Sequence, residues 1–138
     1  MGTWSLEAFG NDTACDWASA LEDEKGYDFI LETLDKVEDD DKYLEADLGM
    51  EIVASCEALA QALGSGTQVD EELPEEVEAW LEGLKDTPPI EVLQQAQKAL
   101  DHVLDEHSEL RQLWEESDEY QEWEISVLRI KRALSPEV

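Results

Sequence analysis

The sequence predicts an all-α fold: a compact single domain, residues 1–138, built as a bundle of about seven helices around a central helix near residues 43–63. Three observations carry this. Apolar residues recur at helical spacing along nearly the whole chain, with no strand-like alternation. Each apolar stripe is one-sided, so the helices must cover one another. One segment, IVASCEALAQAL (Ile52–Leu63), is apolar round most of its circumference, as a buried central helix must be. No repeat of fixed period points to a solenoid. The stretch Gly64–Glu72 is the best candidate for mobility and too short for an interdomain linker.

The elements follow in order. Asn11 or Asp12 can cap a first helix, whose stripe is Ala14, Trp17, Ala18 and Leu21. Gly26 separates it from a second stripe, Tyr27, Ile30, Leu31, Leu34 and Val37. The run Glu38–Asp41 ends that helix, because four carboxylates oppose the negative end of the helix dipole and suit a solvated turn. The third and central helix spans Tyr43–Leu63. Its small residues Ala54, Ser55, Cys56, Ala58 and Ala60 allow close neighbours, and Gly64 terminates it. Pro74 starts a fourth helix with Val77, Trp80, Leu81 and Leu84 inward. Thr87–Pro88 opens a fifth, with Leu93, Ala96, Leu100, Val103 and Leu104 inward. A short sixth follows Ser108 with Leu110, Leu113 and Trp114. Ser117 or Asp118 caps the last, whose seam is Tyr120, Trp123, Val127, Ile130 and Leu134. Arg129, Lys131 and Arg132 complement the dipole in its final turns, and Pro136 stops it.

The opening MGTWSLEAFGNDTACDW is apolar and carries Trp4. It lacks the basic region and unbroken apolar run of a secretory signal, since no Lys or Arg precedes Lys25 and Glu7 and Asp12 interrupt it. Leu6 stands where myristoylation wants Ser or Thr. Trp4, Leu6 and Phe9 are therefore expected to be buried by the protein itself or by a partner. Nothing approaches a membrane span of about 18 apolar residues. Cys15 and Cys56 fall in helical apolar patterns and are expected to pack as small hydrophobes. Two cysteines make no disulfide framework, which reads as a reducing, cytoplasmic setting.

The charge is extreme: 37 acidic against 9 basic residues, net −28. Phosphates demand Lys and Arg, so nucleic acid is excluded as a partner, and anionic membrane surfaces are disfavoured on the same ground. Residues 22–41 hold ten carboxylates and two lysines, net −8. As one helix they would span about 30 Å. Duplex DNA carries about 18 charges over that length, so mimicry of nucleic acid would need two acidic faces side by side. The partner face expected from this region is Asp28, Glu32, Asp35, Asp39, Asp40 and Asp41.

No catalytic, cofactor-binding or metal-ligating set emerges, so no cofactor is expected. His102 and His107 point about 140° apart on a helix and cannot share a metal. They read as surface residues, or as a break between helices near His107. Cys15 and Cys56 lie beside carboxylates, which does not activate a thiol. GSGT lacks the lysine of a phosphate loop, and Asp39–Lys42 lacks the spacing of a calcium loop. Glu57 stands out in the most apolar helix. The spacing places it on a narrow polar strip with Gln61. Buried, it would need a partner, with the indoles of Trp4, Trp17 and Trp80 or an arginine as the choices. Asp16, Glu45 and Glu57 are the carboxylates whose convergence would make a site. The five tryptophans read as core, with one exposed partner anchor as the alternative.

MGTW, Phe9, Asn11–Asp12, Ala14 and Asp16–Trp17 resemble the start of an uncharacterised bacterial family, domain of unknown function 4259. The resemblance continues through Tyr43–Glu45, the alanine-rich helix with Glu57, Leu73–Leu81 and Ser108–Ser117, and so covers essentially the whole chain. The Ser5–Ala8 stretch departs from the family's small, Gly-rich form. The resemblance implies a small helical bacterial protein and brings no substrate or catalytic residue.

The function expected from these readings is a non-enzymatic, immunity-protein-like module that binds a basic protein. The alternatives are an acidity that reflects a salty environment, or an enzyme with a Glu57-centred carboxylate site. Oligomeric state is open.

Overall fold

The computed structural model describes residues 12–22, 24, 26–37, 43–64 and 75–134. Trp4, Leu6, Phe9, Asn11, Asp39–Asp41, Pro74 and Pro136, on which several expectations rest, lie outside the described residues. Among the described residues seven helices form: α1 (Asp12–Leu21), α2 (Asp28–Asp35), α3 (Ala46–Ala62), α4 (Glu75–Glu82), α5 (Ile90–Val103), α6 (Glu109–Glu115) and α7 (Tyr120–Ala133). The fold is an all-α bundle.

α3 is the hub. It packs against each of the other six helices, and every residue from Ile52 to Ala60 is buried. The expected stripes meet it: Ala14, Trp17, Ala18 and Leu21 from α1, Ile30 and Leu34 from α2, Val77 and Trp80 from α4. From the other side come Leu93, Ala96, Leu100 and Val103 of α5, Leu110 and Trp114 of α6, and Trp123, Val127 and Ile130 of α7. Gly49 shows how closely α3 is approached. A methyl group on it would sit 3.2 Å from Leu110 Cβ of α6.

The hub begins three residues later than its apolar pattern suggested. Leu44 is extended and pairs with Ser108 in a parallel bridge. Its N–H donates to His107 O at 3.0 Å, and its carbonyl accepts from Glu109 N at 2.8 Å. The first turn of α3 is closed by the same segment, since Ala46 N donates to Glu109 Oε1 at 2.9 Å. Ser108 is the α6 cap as expected, its hydroxyl accepting from Arg111 N at 3.2 Å. Arg111 then ties three elements: Nη1 donates to Leu104 O at 2.8 Å, Nε to Glu115 Oε2 at 3.2 Å, and the guanidinium lies 5.9 Å from the Tyr120 ring.

The glycine breaks fall where residue type placed them, and two of the helix starts do not. Gly26 and Gly64 adopt φ of 78° and 80°, the left-handed turn that other residues resist. Neither Ser117 nor Asp118 caps α7: Glu119 holds the cap position without a side-chain cap bond, and Ser117 Oγ instead accepts from Glu119 N at 3.1 Å in the preceding turn. The start of α5 shifts to Ile90, behind Pro89 in extended backbone, so Thr87–Pro88 belong to the preceding loop. The residue before a proline is pushed out of the helical region, and two consecutive prolines delay the helix accordingly.

All four described tryptophans are buried, at 5% exposure or less, and none is an exposed anchor. Trp17 stacks on Phe29 with centroids 5.4 Å apart and donates to Thr33 Oγ1 at 2.8 Å. Trp80 meets Tyr27 edge-on at 5.8 Å and donates to Gly26 O at 2.9 Å. Trp114 and Trp123 stack at 6.1 Å and close the α6–α7 end. Buried Thr33 went unnoticed in the sequence, although it sits on the inner face of α2 between Ile30 and Leu34.

Candidate functional site

Glu57 is where the structure corrects the sequence most. It is not on a solvated polar strip: it is fully buried in the middle of α3. Gln61, one turn on, is nevertheless its partner, donating from Nε2 to Oε2 at 2.7 Å. The two described indoles proposed for it are engaged elsewhere, Trp17 with Thr33 and Trp80 with Gly26. Among the described residues, no buried side-chain nitrogen or oxygen lacks a hydrogen-bond partner. The carboxylate is thus built into the core, with Gln61 of its own helix as one partner. Single-sequence reading missed its burial because an i, i+4 polar pair looks the same whether or not another element covers it.

The other carboxylates weighed with Glu57 do not join it. Asp16 is exposed on α1 and Glu45 is exposed at the α3 N-cap. Glu45 precedes Glu57 by twelve residues, about 18 Å along a helix. Among the described residues, no three His, Cys, Asp or Glu side chains are placed to hold a metal ion. His102 lies in the last turn of α5. His107 lies in the following turn, with Nδ1 2.9 Å from Asp105 Oδ2. That contact holds the exposed Asp105 carboxyl below its ordinary range.

The cysteines part company. Cys56 is buried and its thiol lies 3.6 Å from Ala96 O. Burial, and then the adjacent Glu57 carboxylate, push its pKa strongly up. Cys15, expected in the core, is exposed instead. The inner face of α1 is taken by Ala14, Trp17, Ala18 and Leu21, and a residue 100° from Ala14 faces outward. Partial burial and then the carboxylates of Asp12, Glu76 and Asp16 raise its pKa as well. Neither thiol is activated as a nucleophile. In native protein at about pH 8, iodoacetamide should label Cys15 slowly for an exposed thiol and leave Cys56 untouched. Mass spectrometry reads both, and rapid native labelling of Cys56 would contradict the packing around α3.

The acidic face is better formed. Asp28, Glu32 and Asp35 stand at i, i+4 and i+7 on α2, all exposed, opposite buried Ile30, Thr33 and Leu34. Asp35 accepts from Gln95 Nε2 of α5. No cation pairs with this stripe among the described residues. Lys36, next to it in sequence, turns to Glu51 at 3.8 Å. The stripe is short, because α1 stops at Leu21 and α2 spans only eight residues. The continuous twenty-residue acidic helix considered for nucleic-acid mimicry is therefore absent, broken by the turn at Gly26. At the open end of α2 an apolar-lined cavity of about 360 Å³ lies between Gly26–Tyr27 and Gly83–Asp86. Two of its lining residues are joined, the Tyr27 hydroxyl donating to Asp86 O.

No described helix is long and apolar enough to cross a membrane. No curated protein and no solved structure matches the chain. A family model does match, over residues 2–126. With an all-helical hub that incorporates the Glu57 segment, and with the match spanning most of the sequence, the chain belongs to the family described as Domain of unknown function (DUF4259).

Proposed function

We propose that this protein is a non-enzymatic binding module for a basic protein partner, and that the exposed α2 face is where the partner docks. The observation that carries the reading is the Asp28–Glu32–Asp35 stripe, which faces solvent without a cation on it among the described residues. Uncompensated carboxylates on a rigid helix cost little to present and give a basic surface both steering and register. Asp39, Asp40 and Asp41 extend the same proposed face along the sequence. A cytoplasmic setting belongs to this proposal.

The test is capture from the host at low salt, by wild type and by a triple Asp28→Lys, Glu32→Lys, Asp35→Lys variant. A basic protein should be retained by wild type and lost from the variant and at high salt. Recovery of no basic protein at low salt contradicts the reading.

One observation favours the environmental reading of the charge instead. Every described helix carries an acid in its first turn, from Asp12 in α1 to Glu122 in α7, so acid is spread over the molecule rather than confined to one face. Those positions also suit the helix dipoles. If acidity is an adaptation to salt, the melting temperature should fall sharply in dilute buffer. Full stability there contradicts it.

A further inference from the structure

The outward face of α7 differs from the rest of this acidic surface. Its buried seam is Trp123, Val127 and Ile130. On the opposite side, at successive helical turns, stand Gln121, Glu122, Ile125, Leu128, Arg129 and Arg132, all exposed. Ile125 is 54% and Leu128 44% exposed, two of the four large apolar side chains left in water among the described residues. The face is polarised along its length: acidic at the N-terminal end, apolar in the middle, basic at the C-terminal end. Neighbouring Lys131 is already committed, its Nζ 2.6 Å from Asp101 Oδ1 on α5. Arg129 and Arg132 form no ion pair among the described residues, and neither does Glu122.

We propose that this face binds a second copy of this chain, with the two α7 helices antiparallel about a two-fold axis near Ser126–Val127. The pattern is self-complementary, which a two-fold contact requires: residue i meets j, and j meets i. Centring the axis between Ile125 and Leu128 sets each Ile125 against the partner's Leu128. In the same register Glu122 lies level with the partner's position 131, one residue or about 1.5 Å of rise from the partner's Arg132, whose long side chain faces the same side and reaches it. Within one chain Glu122 and Arg132 are ten residues apart, about 15 Å along the helix, and cannot pair with each other. A second antiparallel copy satisfies both ends at once.

The contact is small. A fourteen-residue helix is about 21 Å long, and one ridge covers less than the roughly 800 Å² per partner of a standard interface. Two chains of net −28 also repel at long range. The dimer is therefore weak and strengthens with moderate salt, because the screening length falls from about 30 Å at 0.01 M to about 8 Å at 0.15 M.

Sedimentation equilibrium on wild type, Glu122→Arg, Arg132→Glu and the double swap tests this, with circular dichroism to show that these surface changes leave the fold intact. Wild type should dimerise, more tightly at 0.15 M than at 0.01 M salt, as the screening lengths require. Each single substitution should weaken dimerisation at least about tenfold, since it sets like charges opposite each other twice. The double swap should restore it. An equimolar mixture of the two single variants should form a heterodimer, because both its cross-pairs are then opposite in sign. A wild type that stays monomeric up to about 1 mM overturns the proposal, as does a dimer indifferent to both substitutions.

Discussion

Replacing Trp80 by alanine is expected to cost about 4–5 kcal/mol of unfolding free energy, the largest loss from any single truncation among the described residues. Trp80 is 2% exposed and is the largest of the fully buried side chains among the described residues. It enters from α4, a helix of eight residues with only Val77 and Trp80 buried, so α4 has little else to hold it. The indole also links two loops. Its N–H donates to Gly26 O in the α1–α2 turn, and its ring meets Tyr27, whose hydroxyl reaches Asp86 between α4 and α5. Truncation leaves a cavity, an unsatisfied carbonyl and a loose α4. Total stability of a domain this size is about 5–15 kcal/mol, so the variant would be close to unfolding under ordinary conditions. Trp80→Phe separates the terms. It keeps most of the packing and loses the hydrogen bond, for about 1–2 kcal/mol. Urea titration of the three proteins checks the series, and a Trp80→Ala cost below about 1 kcal/mol would mean that α4 is not anchored as described.

Glu57 supplies the second large effect. Glu57→Ala removes a buried side chain from the most tightly surrounded helix and strips Gln61 of its acceptor. The expected cost is about 2–4 kcal/mol, from the cavity and the lost hydrogen bond together. Glu57→Gln keeps shape and hydrogen-bonding capacity and should lose about 1 kcal/mol or less. Chemical denaturation distinguishes the two. If the alanine variant were as stable as wild type, Glu57 would not be part of the architecture, and the carboxylate would need a different account.

How much of this was legible depended on whether the signal was local. The α3 hub was visible because Ile52–Leu63 offers no broad polar face, and a helix with no wet side must be central. The α7 seam was visible because Tyr120, Trp123, Val127, Ile130 and Leu134 keep strict helical spacing. Ser108, Gly26 and Gly64 announced themselves by residue type, since caps and left-handed turns are chemical demands on one position.

What stayed hidden was non-local. The Leu44–Ser108 bridge joins segments 64 positions apart, and nothing in either segment names the other. It trims the start of α3 from Tyr43 to Ala46. Cys15 was misplaced by residue type, since cysteine favours the interior while the α1 geometry turns this one outward. Glu57 was misplaced for the opposite reason, because its charge argued for water while its neighbours argued for the core. Of the candidate site, the α2 stripe was readable from spacing alone. The separation of Asp16, Glu45 and Glu57 needed the three-dimensional packing. The α7 face was masked by a reading that credited Arg129 and Arg132 entirely to the helix dipole.

At the centre of this molecule α3 is sealed by six helices, with Glu57 the one acid buried among the described residues. Native-state hydrogen exchange on backbone amides tests that most directly. The account predicts that amides of Ile52–Ala60 exchange only through global unfolding and carry the highest protection in the chain, well above those of α2 and α4. Exchange of the α3 amides as fast as those of α4 would contradict it.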